Sequence, residues 1–201
     1  MVSLGQSKLF APDHDAPLRD RVEVELVTVA AARQAFEKFH YLHRARTGRQ
    51  LNYAVAIDGV IDGYITYAYP MMSAALCGVP SDQLLEFARL YLHSNIPHTA
   101  SCAIGQTLRR VKRDWQAAFP AAREPLLVVS WSDTTRHSGT IYKAANFTWL
   151  KRTKGHPPGN KATSKRGLRQ GHVDYSNDKD CWIYWLVKPG RRPSRDVAEG
   201  A

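Results

Sequence analysis

Residues 126–150 read LLVVSWSDTTRHSGTIYKAANFTWL, and this stretch predicts the class of fold. Residues 126–131 form a nearly continuous apolar run, which is typical of a strand covered on both faces. Residues 132–135 carry side chains suited to turns and helix caps. Residues 139–147 have the spacing of a short helix, and an extended aromatic segment begins at Phe147. The stretch therefore predicts a strand, a turn, a helix and a second strand.

Polar and titratable side chains follow the buried strand directly. Open α/β sheets usually bind ligands just beyond the carboxyl ends of their strands. We therefore expect a site here, although Asp133 is equally typical of a residue that caps the following turn. The candidate residues in this segment are Ser132, Asp133, His137, Ser138 and Tyr142.

Working outward along the chain, alternating and helical apolar spacings predict a mixed α/β sheet with flanking helices. The Asp58-Gly59 dipeptide between two apolar runs predicts a hairpin. The expected order is β-α-β-β-β-α-β-α-β, a basic loop and a last β-strand. Strands are expected at 21–29, 51–57, 60–69, 84–92, 126–131, from 147 and at 181–187, with helices at 30–39, from 99 to Pro120 and at 139–147. An arm at 1–20 precedes the domain at 21–188, and a polar tail at 189–201 is expected to be disordered.

Two charged residues interrupt the apolar segment 84–92, LLEFARLYL. Helix propensity would also suit this segment, but its alternation favours a strand. Strict alternation places Glu86 and Arg89 on opposite faces. A charge in a covered strand is costly unless it is paired or functional, so Glu86 is a candidate site carboxylate and Arg89 a candidate substrate contact. An edge strand with one solvated face is the alternative.

Two histidines and a tyrosine follow the first predicted helix, in the segment FHYLHR at 39–44. His40 could serve as a general base or a metal ligand, and Tyr41 could stack on a base or donate a proton. A packed aromatic pair with a hydrogen-bonded imidazole explains the same residues equally well.

The charge of the chain is strongly positive, with 28 Lys and Arg against 18 Asp and Glu, a formal charge of +10 and a pI near 9.7. Residues 151–172 hold seven Lys or Arg and no acidic residue. Such clustering favours nucleic acid as a partner, whereas solubility and a solvated loop are the simpler explanations. The expected DNA contacts are Arg109, Arg110 and Arg113 in the central helix and Lys151, Arg152, Lys154, Lys161, Lys165 and Arg166 in a basic loop at 151–175.

The three cysteines, Cys77, Cys102 and Cys181, are far apart and match neither a disulfide framework nor a zinc spacing, so reduced thiols are expected. No apolar run has the length of a membrane span, and the amino terminus lacks the apolar core of a signal peptide. These features predict a cytoplasmic protein without a membrane partner.

Three segments together resemble the Mom family of phage DNA-modification proteins, within the GNAT (N-acetyltransferase-like) superfamily. They are FHY at 39–41, LLEFARLYL at 84–92 leading through Pro97 and Ser101 to a basic helix, and SDTTRHSGTIYKAANFTWL at 132–150. The last segment is the most specific, and the resemblance spans about residues 22–187.

The resemblance implies a GNAT-like fold that adds a carbamoylmethyl group to adenine N6 in DNA, which protects phage DNA from restriction in the host cytoplasm. It also implies an iron requirement. Iron sites often have two histidine ligands and one carboxylate ligand, and His40, Glu86, Asp133 and His137 could supply such a set, although no local spacing in the sequence fixes it. His40 and Asp133 would position the attacking amine or the metal, Tyr41 would contact the base, and Tyr142 would act as a general acid. The donor of the group is left open.

The sequence differs from acyl-CoA-dependent members of the superfamily in one feature, which concerns the donor of the transferred group. Acyl-CoA-dependent members of the superfamily carry a glycine-rich pyrophosphate loop, whereas residues 95–105 read NIPHTASCAIG, with a single glycine inside the predicted helix. This departure argues against conventional use of acyl-CoA. An acyl-CoA-dependent N-acetyltransferase acting on a small amine or a protein, and a non-catalytic DNA-binding protein, are the two alternative functions.

Overall fold

The computed structural model describes residues 16–70, 75–155 and 177–193 of the chain. Its helices are α1 (Leu18–Arg21), α2 (Val29–Phe39), α3 (Thr99–Ala118) and α4 (Thr140–Ala144). Its strands are β1 (Val22–Val27), β2 (Gln50–Ile57), β3 (Val60–Ala68), β4 (Leu84–Leu92), β5 (Leu127–Asp133), β6 (Thr148–Thr153) and β7 (Lys179–Trp185). Short 3₁₀ turns lie at Ser81–Gln83 and Pro189–Arg191.

The strands form one seven-stranded sheet in the order β1-β2-β3-β4-β5-β7-β6. Only the central β4 and β5 are parallel, and every other neighbouring pair is antiparallel. The predicted order of elements and the mixed α/β class are confirmed. α1 is an additional short helix, and α4 ends at Ala144 rather than at residue 147.

Helices cover both faces of the sheet. The apolar stripe of α3, including Ile104 and Trp115, packs in one cluster with Tyr53 of β2 and Ile65 of β3. The neighbouring residue Tyr64 points to the other face, where its ring contacts Phe36 of α2 at 6.4 Å. This alternation explains why β2 and β3 are apolar on both faces.

Local sequence accounts for the turns that join these elements. Thr28 caps α2, since its hydroxyl accepts the N–H of Ala31 at 3.3 Å. Asp58 and Gly59 both have positive φ, 52° and 79°, as the predicted two-residue hairpin requires.

A β-bulge in β4 changes which side chains share a face. Thr66 pairs with Arg89 and Tyr67 pairs with Phe87, so Ala88 is an extra residue without a partner in β3. One extra residue reverses the faces of all residues beyond it. Arg89 therefore lies on the face of Glu86, and the prediction from strict alternation is wrong.

Gly63 in β3 provides a first test of the packing. A Cβ atom there would collide with the backbone carbonyl oxygen of Tyr91 in β4, so Gly63→Ala should destabilise the protein by about 1–3 kcal/mol. Gly105→Ala in α3 is the matched control, because its nearest neighbour would be Arg109 Nη1 at 3.8 Å. It should stabilise by about 0.5–1 kcal/mol. Urea unfolding should give these opposite signs, and two equal changes would contradict the assigned close approach of β3 and β4.

Candidate active site

β4 and β5 separate at the centre of the sheet. Their parallel pairing extends only over Leu84–Glu86 and Leu127–Val129. The Ser130 hydroxyl then donates to the Phe87 carbonyl oxygen at 2.9 Å. Beyond this contact the two strands have no partner residues in common within the described chain, so side chains from both faces can approach one another across the opening, which we call the strand gap.

A row of rings lies at the α2 side of the strand gap. Tyr41 stacks on His40 with ring centroids 4.5 Å apart, and the His137 ring meets Tyr41 edge-on at 5.9 Å. The Arg136 guanidinium lies over the Tyr41 ring at 5.1 Å. Residues distant in sequence, from the exit of α2 and the turn after β5, thus meet at this point.

His40 is a neutral imidazole with one nitrogen already engaged. Burial, followed by the positive charge of Arg89 and the proximity of two other imidazoles, lowers the pKa of His40 to about 4. Its Nδ1 accepts the backbone N–H of Leu42 at 3.2 Å, and this contact assigns the ring hydrogen to Nε2. In this tautomer His40 is a hydrogen-bond donor toward the site rather than a general base.

His137 and Tyr41 have unused hydrogen-bonding atoms. Burial, with a smaller contribution from Arg136, lowers the pKa of His137, although Asp133 opposes the shift. Burial also raises the pKa of Tyr41, so its phenol stays protonated. Within the part of the chain that the structure describes, neither the His137 ring nor the Tyr41 hydroxyl makes a hydrogen bond. His137 is therefore an available proton acceptor, and Tyr41 an available donor.

Tyr142 is buried on the α3 side of the strand gap. Its ring stacks on Trp182 with centroids 5.4 Å apart, and burial raises its pKa to about 12. Its hydroxyl lies 3.0 Å from Ser130 Oγ. Because Ser130 gives its own hydrogen to the Phe87 carbonyl, Tyr142 must donate to Ser130. Gly139 makes this packing possible, since a Cβ there would collide with the Trp182 ring.

Asp133 organises the turn after β5. Its Oδ1 accepts the backbone N–H of Thr135 at 2.9 Å and the Thr135 hydroxyl at 2.6 Å, and its Oδ2 accepts from Asn177 at 3.0 Å. These hydrogen bonds lower its pKa although burial opposes them. The cap interpretation of Asp133 therefore has direct support, and the carboxylate also acts electrostatically on Tyr41 and His137.

The two predicted serine contacts differ in accessibility. The hydroxyl of Ser132 is buried and accepts the indole N–H of Trp182 at 2.9 Å. The hydroxyl of Ser138 is exposed and lies 2.8 Å from that of Thr140. Ser138 can therefore reach a bound molecule, whereas Ser132 holds Trp182 in place.

Positive charge exceeds negative charge around the strand gap. Glu86 forms a buried ion pair with Arg46 at 2.7 Å. Within the described residues Arg89 donates hydrogen bonds only to carbonyl oxygens, Ala88 O at 2.6 Å and Arg44 O at 3.5 Å. Burial and the neighbouring charge of Arg46 lower its pKa to about 10. The arrangement favours binding of an oxyanion.

Sequence reasoning missed Arg46, Arg136 and Ser130. Arg46 is 7% exposed, and its Nη2 also donates to the Tyr69 carbonyl oxygen at 2.7 Å, which ties the loop after α2 to the sheet. The run of arginines after His43 is the only sequence signal for it. Nothing in the sequence separates Ser130 from other small residues of buried strands.

The described residues do not fit the iron site that the resemblance implies. They contain no group of three or more His, Cys, Asp or Glu side chains that could hold a metal ion. Glu86 is paired with Arg46, the Asp133 oxygens accept hydrogen bonds from Thr135 and Asn177, and His40 would have to give up its Nε2 hydrogen. The structure therefore does not bring His40, Glu86 and Asp133 together as ligands.

The predicted DNA contacts have different environments. Arg110 and Arg113 both pair with Asp114, at 2.6 and 3.1 Å, and Arg152 pairs with Asp180. Arg109, Lys151 and Lys154 carry no ion pair within the described chain. Lys161, Lys165 and Arg166 lie outside the described residues, as does most of the predicted basic loop.

The start of α3 resembles an anion site only in part. His98 precedes α3 with φ of 68° and provides no side-chain cap, so backbone N–H groups of the first turn remain open to an anion. A Cβ at Gly105 would meet only the Arg109 side chain, so no tight glycine cradle exists there. The residues do not reproduce the glycine loop of acyl-CoA-dependent enzymes.

Solved structures with a similar fold are acetyltransferases. The putative acetyltransferase yncA from Salmonella typhimurium, solved with acetyl-CoA, is 10% identical with a TM-score of 0.50, covering 86% of this chain and 98% of that one. NAA60 from Arabidopsis thaliana is 12% identical with a TM-score of 0.50, covering 82% and 98%. Spermidine/spermine N-acetyltransferase SpeG from Vibrio cholerae is 6% identical with a TM-score of 0.51, covering 85% and 95%. These likenesses establish the GNAT fold.

The comparison of sequences is more specific. The family model described as the Mom protein family matches residues 21–179. No curated protein sequence matches the chain. None of the helices that the structure describes is long and apolar enough to cross a membrane.

Proposed function

This chain belongs to the Mom protein family, and we propose that it is a transferase that adds a carbamoylmethyl group to the N6 amine of adenine in DNA and so protects the DNA from restriction. The observation that carries the proposal is the contact between the rings of His137 and Tyr41, with Arg89 close enough to act electrostatically on Tyr41. The family match and the positive charge of the chain support the same substrate.

The proposed reaction joins adenine N6 to the methylene carbon of an activated donor. The N6 amine is a weak base, so it must lose a proton as the new bond forms. His137 accepts this proton, because its imidazole is neutral and its ring nitrogens are free within the described chain. The bond from the methylene carbon to the leaving group breaks, and the Tyr41 phenol supplies a proton to that group.

The remaining residues hold the reactants. Arg89 binds an anionic oxygen of the donor or of the DNA backbone. His40 donates from Nε2, and Asp133 keeps the turn that carries His137 in place. Tyr142 donates to Ser130, which in turn donates to the Phe87 carbonyl oxygen, so Tyr142 helps to hold β4 and β5 in place at the strand gap. It is not the proton donor of the reaction. The adenine must leave the duplex stack to reach these groups.

Mass spectrometry of nucleosides tests the proposal. DNA from cells that express the protein should contain a deoxyadenosine derivative heavier than N6-methyldeoxyadenosine. Cells expressing a soluble His137→Gln variant at the same level are the control. Only unmodified deoxyadenosine, from soluble protein in iron-replete cells, would contradict the proposal. Tight binding of acetyl-CoA without affinity for DNA would instead favour an ordinary N-acetyltransferase.

A further inference from the structure

A cavity of about 450 Å³ lies between α2, the start of β3 and the end of β4. Its lining includes Gln34, Lys38 and Phe39 of α2, Tyr64 of β3 and Tyr91 of β4. Cavities of about 300–1,000 Å³ that combine aromatic side chains with a few polar groups are typical of sites for small molecules and cofactors. None of these five residues takes part in the proposed reaction, so the reaction does not account for the cavity.

The cavity lies beside the reacting groups, on the same face of the sheet. Beyond the bulge in β4, Arg89 and Tyr91 are two residues apart and share one face. On the helix side, Phe39 directly precedes His40 in the sequence. Arg89 acts electrostatically on His40, and Tyr91 stacks on Phe39. The cavity therefore begins one step further along β4 than the reacting groups, a distance of about 7 Å.

Phe39 and Tyr91 form a flat aromatic wall in this cavity, which we call the aromatic wall. Their rings are nearly parallel, at an angle of 10° and with centroids 5.4 Å apart. Phe39 is nonetheless 50% exposed, so part of its ring is available for contact. The Lys38 ammonium lies over the same ring, 4.9 Å from its centroid. An aromatic ring with an adjacent cation is typical of surfaces that stack bases next to a phosphate backbone.

The polar groups of the cavity suit an uncharged ring better than an anion. Asp62 also lines the cavity and opposes the charge of Lys38. The two Asp62 carboxylate oxygens accept the backbone N–H and the hydroxyl of Ser94, at 2.9 and 3.0 Å. Among the described residues, neither the Gln34 amide nor the Tyr64 hydroxyl has a hydrogen-bond partner. Both groups can donate and accept, which matches the mixed donors and acceptors along the edge of a nucleobase.

We infer that the cavity holds the nucleobase next to the modified adenine, an inference that rests on DNA being the substrate. Extrusion of the adenine leaves its neighbour without a stacking partner on one side, and the aromatic wall replaces that partner. The phosphate that joins the two nucleotides passes Arg89, which precedes Tyr91 on the same face of β4. Lys38 is exposed and has a flexible stem, so its ammonium can turn from the Phe39 ring to the next phosphate.

Contact of the exposed Phe39 ring with a second copy of the chain is the rival explanation. Ile61 also lines the cavity and is 42% exposed, so some apolar surface is present. The cores of protein interfaces are, however, depleted of charged groups, whereas Lys38 and Asp62 both line this cavity. The position beside the reacting groups and the polar lining therefore favour a nucleobase as the occupant.

Binding of oligonucleotides that lack one base tests the inference. The probe is a labelled single-stranded oligonucleotide with one adenine, and two further probes are abasic on the 5′ or the 3′ side of that adenine. Wild type should bind one of the two abasic probes roughly tenfold more weakly than the intact probe. Phe39→Leu keeps an apolar side chain but removes the ring, so it should bind the intact probe roughly tenfold more weakly and show no further loss on that abasic probe. Phe39→Tyr should behave as wild type.

Trp149→Ala is the matched control, because Trp149 is 50% exposed like Phe39 but lies on the edge strand β6. It should change neither the affinity for the intact probe nor the loss on the abasic probe. Sedimentation of Phe39→Leu and wild type tests the rival explanation, and both should give the same oligomeric state.

Four results would overturn the inference: equal binding of all three probes by wild type, including no binding of any; a further loss of affinity by Phe39→Leu on the abasic probe; an equal loss in Trp149→Ala; or a change from dimer to monomer in Phe39→Leu. The nucleoside measurement separates this inference from the proposed reaction. Modified deoxyadenosine without an effect of Phe39 would remove only the base-binding role of the cavity. Coupling between Phe39 and one abasic position, with unmodified deoxyadenosine, would remove only the reaction.

Discussion

Replacing His137 by Gln is expected to lower the rate of adenine modification by about 10²–10⁴-fold, because glutamine cannot accept the proton that leaves N6. Glutamine keeps a polar side chain of similar length beside Tyr41. DNA affinity should therefore change little, and the loss should appear in the rate at saturating DNA. Single-turnover kinetics, read by mass spectrometry of the product nucleoside, separates rate from affinity.

The assignment of His137 as proton acceptor also predicts how the rate of modification depends on pH. The proton acceptor must be neutral, and burial holds the pKa of His137 below its ordinary value of about 6.5. The rate should thus decline as the pH falls and the imidazole becomes protonated, with the midpoint of the decline below the ordinary histidine value of about 6.5. The residual activity of His137→Gln should lack this decline.

His93→Gln is the matched control for His137→Gln, because His93 is an exposed imidazole just beyond the end of β4 and is not assigned to the reaction. It should leave both the rate and the pH profile unchanged. A His137→Gln enzyme within threefold of the wild-type rate, or one with the same acid limb, would show that another group accepts the proton.

Replacing Arg46 by Met is expected to destabilise the protein by about 3–5 kcal/mol, because the change leaves Glu86 buried without its partner. The side chains of Arg46 and Glu86 are only 8% and 15% exposed, and their atoms approach to 2.7 Å. Methionine conserves much of the volume, so the loss reports on the charge. Urea unfolding monitored by tryptophan fluorescence measures the free energy of unfolding.

The double variant Arg46→Met, Glu86→Leu should recover most of this loss, since neither member of the ion pair is then left buried without the other. Arg123→Ala is the surface control, because Arg123 and Asp82 are 58% and 52% exposed in their ion pair, and its effect should stay below about 1 kcal/mol. If Arg46→Met were as mild as Arg123→Ala, the ion pair would not stabilise the loop that carries His40 and Tyr41.

Local sequence signals determined much of the fold. Strands and helices differ in the period of their apolar residues, and that period can be read from residues close together in the sequence. The alternation in residues 84–92 therefore predicted β4, and Asp58-Gly59 predicted the hairpin of β2 and β3. The segment 132–150 likewise indicated the family, because it is long and chemically unusual.

Tertiary structure decided which side chains could act together. The bulges at Ala88 and Leu150 have no signature in the local pattern, yet each reverses the faces of the residues that follow. Glu86 is paired with Arg46, a residue 40 positions away in the sequence, and is therefore not a free site carboxylate. Apolar periodicity depends on adjacent residues, whereas partners and strand register arise only when distant segments pack against one another.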